Sequence, residues 1–167
     1  VQIFVMPEER DKLGCTPNFS LSENLLITKQ EEHSPWINFN SLDQECRNIL
    51  REFDVRGGKT DSQAKTLSGG NLQKFVIGRE ILSKPELLII SHPTWGIDAG
   101  ATQYIRNELI KLSNQGTSII IISQDLDELI QLSNKIAVIY NGELSNSLET
   151  DSLDIKKIGL LMGGQSE

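Results

Sequence analysis

The stretch Leu67-Ser68-Gly69-Gly70-Asn71 opens a helical pattern and decides how the rest of the chain is interpreted. Two adjacent glycines at the start of a helix allow the backbone to approach a ligand closely, and the free N–H groups and the dipole of such a helix end favour a phosphate. Ser68 adds a hydroxyl donor. In isolation, an N-cap serine followed by a glycine loop would be the better explanation of so short a stretch, so the interpretation depends on its surroundings.

The residues that follow this stretch alternate between helical and strand patterns. A helix is predicted from Asn71 to Leu82, where it stops before Pro85, and Leu87–Ile90 is a continuous apolar run typical of a strand covered on both faces. Four consecutive isoleucines within residues 118–123 give the strongest strand signal in the chain. Strands that alternate with helices predict an α/β fold with a mainly parallel sheet.

Apolar spacing and capping residues predict the remaining elements. Val1–Met6 is predicted to be a buried strand, and Ser20 starts a short helix with capping-box spacing. Residues 29–40 are predicted to be loop, and Ser41 is expected to cap a longer helix that ends at Gly57-Gly58. One face of that helix comprises Leu42, Cys46, Ile49, Leu50 and Phe53, and the helical pattern from Asn71 runs through Leu72, Phe75, Val76, Arg79 and Leu82. Further predictions are helices over 101–113, 126–133 and 151–162, and a hairpin turn at Asn141-Gly142.

Composition narrows the class of protein. The chain has 167 residues, enough for one domain with a real core, and its net charge of −7 argues mildly against nucleic acid. Cys15 and Cys46 stand in no metal or redox spacing, and no metal site is predicted. No apolar run approaches the roughly 20 residues of a membrane span. Because the chain begins at Val1 within an apolar run and without Met, it is expected to be a fragment of a longer polypeptide.

The order of these motifs resembles that of the ATP-binding cassette (ABC) ATPases. The glycine stretch resembles the signature motif, and it is followed by its helix, a strand, Pro93-Thr94-Trp95-Gly96-Ile97-Asp98, a second strand and the run from Ser123 to Glu128. The runs 67–74, 93–98 and 125–129 are similar to those of bacterial ATPase subunits that import simple sugars or nucleosides and carry two cassettes in one polypeptide. Pro7-Glu8-Glu9-Arg10, Ser22-Glu23-Asn24 and Gly159–Met162 resemble the second cassette of such a protein.

The resemblance implies a division of the chain. It implies an ABC ATPase core with the P-loop NTPase fold, whose P-loop part lies upstream of Val1, and a helical subdomain inserted into that core. The division is residues 1–14 for the core strand and Q-loop region, 15–66 for the helical subdomain, 67–150 for the signature helix and RecA-like core, and 151–167 for the C-terminal helix and tail. Gly58-Lys59-Thr60 looks like the end of a P-loop, but Phe53 stands where that motif requires glycine.

The resemblance also assigns roles to individual residues. Contacts to ATP held by a partner cassette are implied for Leu67, Ser68, Gly69, Gly70, Asn71 and Gln73, with ATP and Mg²⁺ mainly at that partner site. Asp98 matches the D-loop aspartate of the cassette interface and also fits an N-cap. Glu8 matches the Q-loop position approximately. Trp95 either packs at the interface or fills a gap beside the strand.

Three positions depart from the family pattern. Ser91 and His92 stand where cassettes carry Asp-Glu, and Gln124 stands where they carry a histidine that contacts the γ-phosphate. A serine is a poor replacement for a carboxylate at Mg²⁺, which prefers charged oxygen. The chain's own site is therefore expected to be degenerate, without a confident catalytic residue. The alternative is that His92 supports hydrolysis as a base, a role that histidine side chains commonly take.

The resemblance further implies partners. These are the N-terminal cassette of the same polypeptide, transmembrane permease subunits reached through Pro7–Arg10 and residues 15–30, and indirectly a solute-binding protein, with no nucleic acid. The parent protein would hydrolyse ATP to drive import at the cytoplasmic face of the bacterial inner membrane, and the fragment alone is expected to be inactive. The alternatives are a non-transport ABC ATPase of DNA repair or translation and a stand-alone binding module.

Overall fold

The computed structural model describes residues 3–8, 13–29 and 37–165, which divide into two compact units with the boundary along the chain between Ile122 and Ser123. The first unit contains β1 (Ile3–Met6), α1 (Leu21–Thr28), α2 (Phe39–Glu52), α3 (Gly69–Leu82), β2 (Leu87–Ser91), α4 (Ala99–Asn114) and β3 (Ser118–Ile122). The second contains α5 (Leu126–Leu132), β4 (Lys135–Ile136), β5 (Ile139–Tyr140), β6 (Glu143–Leu144), β7 (Leu148–Glu149) and α6 (Ile155–Met162). The predicted alternation of strands and helices is confirmed, whereas the division at residues 14, 66 and 150 stays a prediction.

The strands β1, β2 and β3 form a parallel sheet in that order. Val5 lies opposite Ile89, which lies opposite Ile120, so the side chains of these three residues share one face. On the other face Met6, Leu88 and Ile90 are buried. The prediction that Val1–Met6 is a buried strand is wrong for its described residues, because Ile3 and Val5 are exposed. The expected coverage of Leu87–Ile90 on both faces is met in part, because Leu88 and Ile90 are buried whereas Ile89 is half-buried among the described residues. Val1 and Gln2, which were assigned to the first strand, lie outside the described residues.

Two helix starts show how local hydrogen bonds place the elements. At α1 the predicted capping box is confirmed, because the Glu23 N–H donates to Ser20 Oγ and the Ser20 N–H donates to the Glu23 carboxylate. The cap of α2 is Asn38 rather than the predicted Ser41. Asn38 Oδ1 accepts from the Ser41 N–H at 3.1 Å, which places Ser41 inside the first turn. The same helix ends at Glu52, before Gly57-Gly58, and most of the predicted loop over 29–40 lies outside the described residues.

The helix α3 is the central packing element of the first unit. It packs against α2, α4 and β1, and all residues from Leu72 to Ile81 are buried. Leu82, the last residue of the predicted helical pattern, is 41% exposed, because the helix reaches the surface at its C-terminal end. Arg79, another residue of that pattern, is buried as a charged group.

Arg79 forms a buried ion pair with its neighbour Glu80. The Arg79 Nη2 lies 2.6 Å from Glu80 Oε1 and also donates to the Gly14 carbonyl at 2.9 Å. Glu80 Oε2 accepts no hydrogen bond within the described part of the chain, and burial raises the pKa of this carboxyl despite the attraction of Arg79.

The described part of the second unit contains short antiparallel strand pairs, two α-helices and a short 3₁₀ helix. The strands β5 and β6 form the predicted hairpin, and Asn141 and Gly142 take φ angles of 48° and 84°, as a type I′ turn requires. The predicted terminal helix over 151–162 begins later, at Ile155, because Asp154 caps it by accepting from the Lys156 N–H. None of the helices in the described ranges is long and apolar enough to span a membrane.

Candidate functional site

The N-terminus of α3 is an exposed helix end that begins with Ser68 as its N-cap. Ser68 and Gly69 are exposed, and the first turn contains no acidic residue. Ser68 Oγ accepts a hydrogen bond from Asn71 Nδ2 at 2.9 Å, while the Ser68 side chain makes no capping bond to the backbone. The first N–H groups of a helix have no partner within it, so this end presents donors and a positive dipole to solvent.

The two glycines of this helix end have different environments. A Cβ atom added at Gly69 would meet nothing within 4 Å, whereas one added at Gly70 would lie 2.8 Å from the carbonyl oxygen of Gly96. Gly70 is thus required by the close approach of the loop that follows β2. Gly69 is free of any such constraint from the described residues, so its surface is open to a ligand or a partner.

Asn71 holds Ser68 against the loop that follows α2. Its Oδ1 accepts from the Arg56 N–H at 2.8 Å, while its Nδ2 donates to Ser68. Leu67, another predicted contact, is buried, so its side chain anchors the start of the helix. Of the predicted set, Ser68 and Gly69 form the open surface and Asn71 supports it.

Gln73 takes an internal position that differs from its predicted contact with nucleotide. Its side chain is 1% exposed, and Nε2 donates to the carbonyl oxygens of His92 at 3.1 Å and Pro93 at 2.6 Å. These bonds join α3 to the residues that follow β2. The amide therefore shapes the loop that follows β2 instead of facing solvent.

Asp98 lies at the other end of that loop and has two fixed partners. Its Oδ1 caps α4 by accepting from the Ala101 N–H at 2.9 Å, and its Oδ2 lies 3.0 Å from Lys74 Nζ. The first of these bonds and then the second lower the pKa of Asp98 to about 2. The predicted cap is confirmed. The sequence analysis did not single out Lys74. The signal that could have identified it as a buried cation is its position directly before Phe75 and Val76 in a buried helix.

The end of β2 carries Ser91 and His92, both half-buried. His92 has a left-handed backbone with φ of 47°, and its N–H donates to the Ile122 carbonyl at 2.8 Å. A hydroxyl and an imidazole do not form the set of charged oxygens that Mg²⁺ prefers, so these two residues do not fit that ion. Within the described ranges no group of three or more His, Cys, Asp or Glu side chains is placed to hold a metal.

Trp95 and the two remaining predicted positions lie at exposed places. Trp95 is 71% exposed and meets the His92 ring edge-on with centroids 5.9 Å apart, so it does not fill a gap beside the strand. Glu8 is exposed just after β1, and Glu9 and Arg10 lie outside the described residues. Gln124 is exposed between β3 and α5, within the second unit. The structure thus joins α3 to the loop 92–98 and leaves the contacts of Glu8 and Gln124 as predictions.

The chain is similar in sequence to ATP-binding proteins of import systems. It is 36% identical over 165 residues to the nucleoside import ATP-binding protein NupA of Lactococcus lactis subsp. cremoris. It is 34% identical over 167 residues to the guanosine import ATP-binding protein NupO of Bacillus subtilis, and 35% identical over 158 residues to the ribose import ATP-binding protein RbsA of Shouchella clausii. The alignments cover 95%, 97% and 93% of this chain but 32% of each relative, so the chain spans about a third of their length. No protein-family model matches the chain.

The fold is similar to that of solved ABC cassettes. The dimeric structure of the ATP-binding cassette MJ0796 in a post-hydrolysis state bound to ADP and Pi matches with a TM-score of 0.72 at 18% identity. That match covers 89% of this chain and 63% of the other. A second dimeric structure of MJ0796, a bacterial ABC transporter cassette, gives 0.71 at 17% identity, with the same coverage of both chains. The chain is thus a homologue of the ATP-binding proteins of nucleoside and sugar import, and it has the P-loop NTPase fold of an ABC ATPase cassette.

Proposed function

We propose that this chain is part of an ATPase cassette of an ABC importer and that it lends its signature motif to ATP bound by a partner cassette. The observation that carries this proposal is the open N-terminus of α3, where Ser68 and Gly69 are exposed and no side chain of the first turn opposes an anion. Backbone N–H groups and the Ser68 hydroxyl would bind the terminal phosphate. ATP bound at this place supplies the phosphate whose cleavage drives transport.

The open surface is supported from inside the chain. Asn71 fixes Ser68, and the Gly70–Gly96 contact brings the loop 92–98 against the same helix. Asp98, at the end of this loop, is the proposed contact to the partner cassette, and the exposed Trp95 belongs to the same surface. A partner that binds here would meet the signature residues and Asp98 together.

The chain's own site would be degenerate. Ser91 and His92 do not fit Mg²⁺, and Gln124 hydrogen-bonds but carries no charge. We therefore assign ATP and Mg²⁺ mainly to the partner site. The chain by itself would not hydrolyse ATP.

Partners and place follow from the proposed function. The partner cassette would be the N-terminal cassette of the same polypeptide, and the permease would bind the helical part of the first unit, where Leu13, Phe19 and Ile27 are exposed. A solute-binding protein would act through the permease, at the cytoplasmic face of the bacterial inner membrane. The named imports of the relatives, nucleosides, guanosine and ribose, support nucleosides or simple sugars as the solute.

The test uses the complete natural polypeptide with its permease in vesicles. Gly69→Asp places a carboxylate at the first position of α3, where there is room for a side chain and where the helix dipole favours negative charge. The fold should therefore persist, while repulsion of the terminal phosphate should lower the ATPase rate on the order of tenfold or more.

Ile155→Asp is the matched control. It adds an aspartate at the first position of α6, where Ile155 is exposed, and should leave the ATPase rate unchanged. Wild-type ATPase activity in Gly69→Asp would refute the proposed role of this helix end.

A further inference from the structure

Lys74 is a buried cation within the signature helix. The residue is 5% exposed, and its Nζ lies 3.0 Å from Asp98 Oδ2 and 3.9 Å from Asp54 Oδ2. The same Nζ also approaches the Asp54 carbonyl oxygen at 3.5 Å. Burial of a charge is costly unless partners compensate it. An apolar side chain of the same length would fill the same space without that cost.

The partners of Lys74 belong to two other segments. Asp54 follows α2 in a left-handed conformation with φ of 47°, and Asp98 precedes α4 as its N-cap. One ammonium group thus joins the loop after α2, the helix α3 and the loop after β2. The neighbouring residue Gln73 binds the start of that last loop through the His92 and Pro93 carbonyls, so Lys74 and Gln73 hold its two ends.

We propose that Lys74 is a positioning residue that fixes Asp98 relative to the signature residues Ser68 and Gly69, so that both meet a partner cassette in one arrangement. This inference rests on the proposed function, because it concerns the same surface. Lys74 itself is buried and would touch neither the nucleotide nor the partner. Its effect would pass through Asp98, whose remaining oxygen is held by the Ala101 N–H.

The test is a double-mutant cycle in the complete natural polypeptide. Lys74→Met keeps the buried stem and removes the charge, whereas Asp98→Asn keeps an oxygen for the cap of α4 and removes the partner charge. Lys74→Met should lower kcat for ATP on the order of tenfold and change KM for ATP less than about twofold. In the Asp98→Asn background, Lys74→Met should have no further effect, and Lys74→Arg in the wild-type background should stay within about threefold of wild type.

The controls separate this inference from the proposed function and from loss of folding. Lys111→Met removes the exposed cation of a pair with Glu108 on α4 and should leave kcat unchanged. If Gly69→Asp lowers activity but Lys74→Met does not, only the positioning role is wrong. If Gly69→Asp has no effect, the proposed function fails.

Two further results would overturn the positioning role. One is that Lys74→Met lowers kcat by the same factor in the wild-type and in the Asp98→Asn background. The other is a fall in kcat no larger than the fraction of Lys74→Met protein that is unfolded under the assay conditions, as extrapolated from urea titrations. If Lys74→Met does not fold, Lys74→Gln, which keeps a donor without the charge, makes the same prediction.

Discussion

The backbone of Gly70 lies against the carbonyl oxygen of Gly96, so that a methyl group at Gly70 would stand 2.8 Å from that oxygen. Gly69, one residue earlier, has open space where its Cβ would be. Of the two adjacent glycines, Gly70 is thus required by the fold, whereas Gly69 is not.

Alanine substitution should separate the two glycines. Gly70→Ala should destabilise the chain by about 1–3 kcal/mol, because a backbone oxygen must move to admit the methyl group. Gly69→Ala should leave the free energy of unfolding unchanged or raise it by up to about 1 kcal/mol, since alanine restricts the unfolded chain. Urea unfolding of both variants measures these differences. Equal destabilisation by both substitutions would contradict the contact between Gly70 and Gly96.

A titration of Asp98 tests its two partners separately. Its pKa is about 2, below the ordinary value of about 3.9, chiefly because of the Ala101 N–H and secondly because of Lys74. In Lys74→Met the pKa should rise but remain below the ordinary value, because the cap of α4 persists. Carbon-13 NMR of the carboxyl group measures both values, and an unchanged pKa in Lys74→Met would show that the pair does not form.

The same shift predicts how stability depends on pH. A carboxyl whose pKa is lower in the folded state contributes its full stabilisation above the unfolded pKa of about 3.9 and loses it as pH falls through about 2. Asp98→Asn should therefore reduce stability at pH 6 and converge with wild type near pH 2. Urea midpoints across this range provide the measurement, and a constant difference at all pH values would contradict it.

Local sequence signals predicted the elements whose hydrogen bonds are local. The capping box of Ser20 and Glu23 and the turn at Asn141-Gly142 depend on residues within four positions of one another, and both are present. The cap of α2 was predicted at Ser41 but lies at Asn38, because two residues that can cap a helix stand three positions apart. The helix begins early enough for the Ser41 N–H to donate to Asn38. Sequence spacing alone does not choose between such neighbours.

The candidate site was predictable as a helix end but not as a network. The exposed Ser68 and Gly69 agree with the pattern of the sequence. The internal bonds of Gln73 and the pair formed by Lys74 join residues about twenty positions apart, and helical periodicity carries no information on such partners. The burial of β1 was predicted wrongly for a similar reason. An apolar strand indicates that its faces are covered but does not show which residues cover them.

The buried pair of Arg79 and Glu80 gives a prediction on stability. Arg79→Met should lower the free energy of unfolding by about 3–5 kcal/mol at neutral pH, because it leaves the buried Glu80 carboxylate without its partner cation. Loss of Arg79 should raise the pKa of Glu80 further, so the folded state binds a proton more tightly and the destabilisation shrinks as pH falls toward about 4.

An exposed pair provides the control for this effect. Arg51 and Glu52 are also adjacent in sequence and lie 3.0 Å apart, but their side chains are 73% and 47% exposed. Arg51→Met should cost less than about 1 kcal/mol and show no comparable dependence on pH. Thermal or urea unfolding at pH 5 and pH 7 measures the free energy of unfolding of both variants. Similar small decreases for Arg79→Met and Arg51→Met would mean that the buried pair contributes little to stability.

His92 provides the prediction that separates a degenerate site from an active one. Because His92 has a φ of 47°, alanine would add backbone strain to the loss of the imidazole, whereas asparagine tolerates this conformation. His92→Asn in the complete polypeptide should therefore keep the loop held by Gln73 and leave the steady-state ATPase rate within about twofold of wild type. The reason is that Ser91 offers no carboxylate to Mg²⁺, so a base at position 92 would have no ordered metal and phosphate to act with. A fall of tenfold or more, with an unchanged urea midpoint, would instead assign His92 a part in hydrolysis, since only the imidazole would differ between the two proteins.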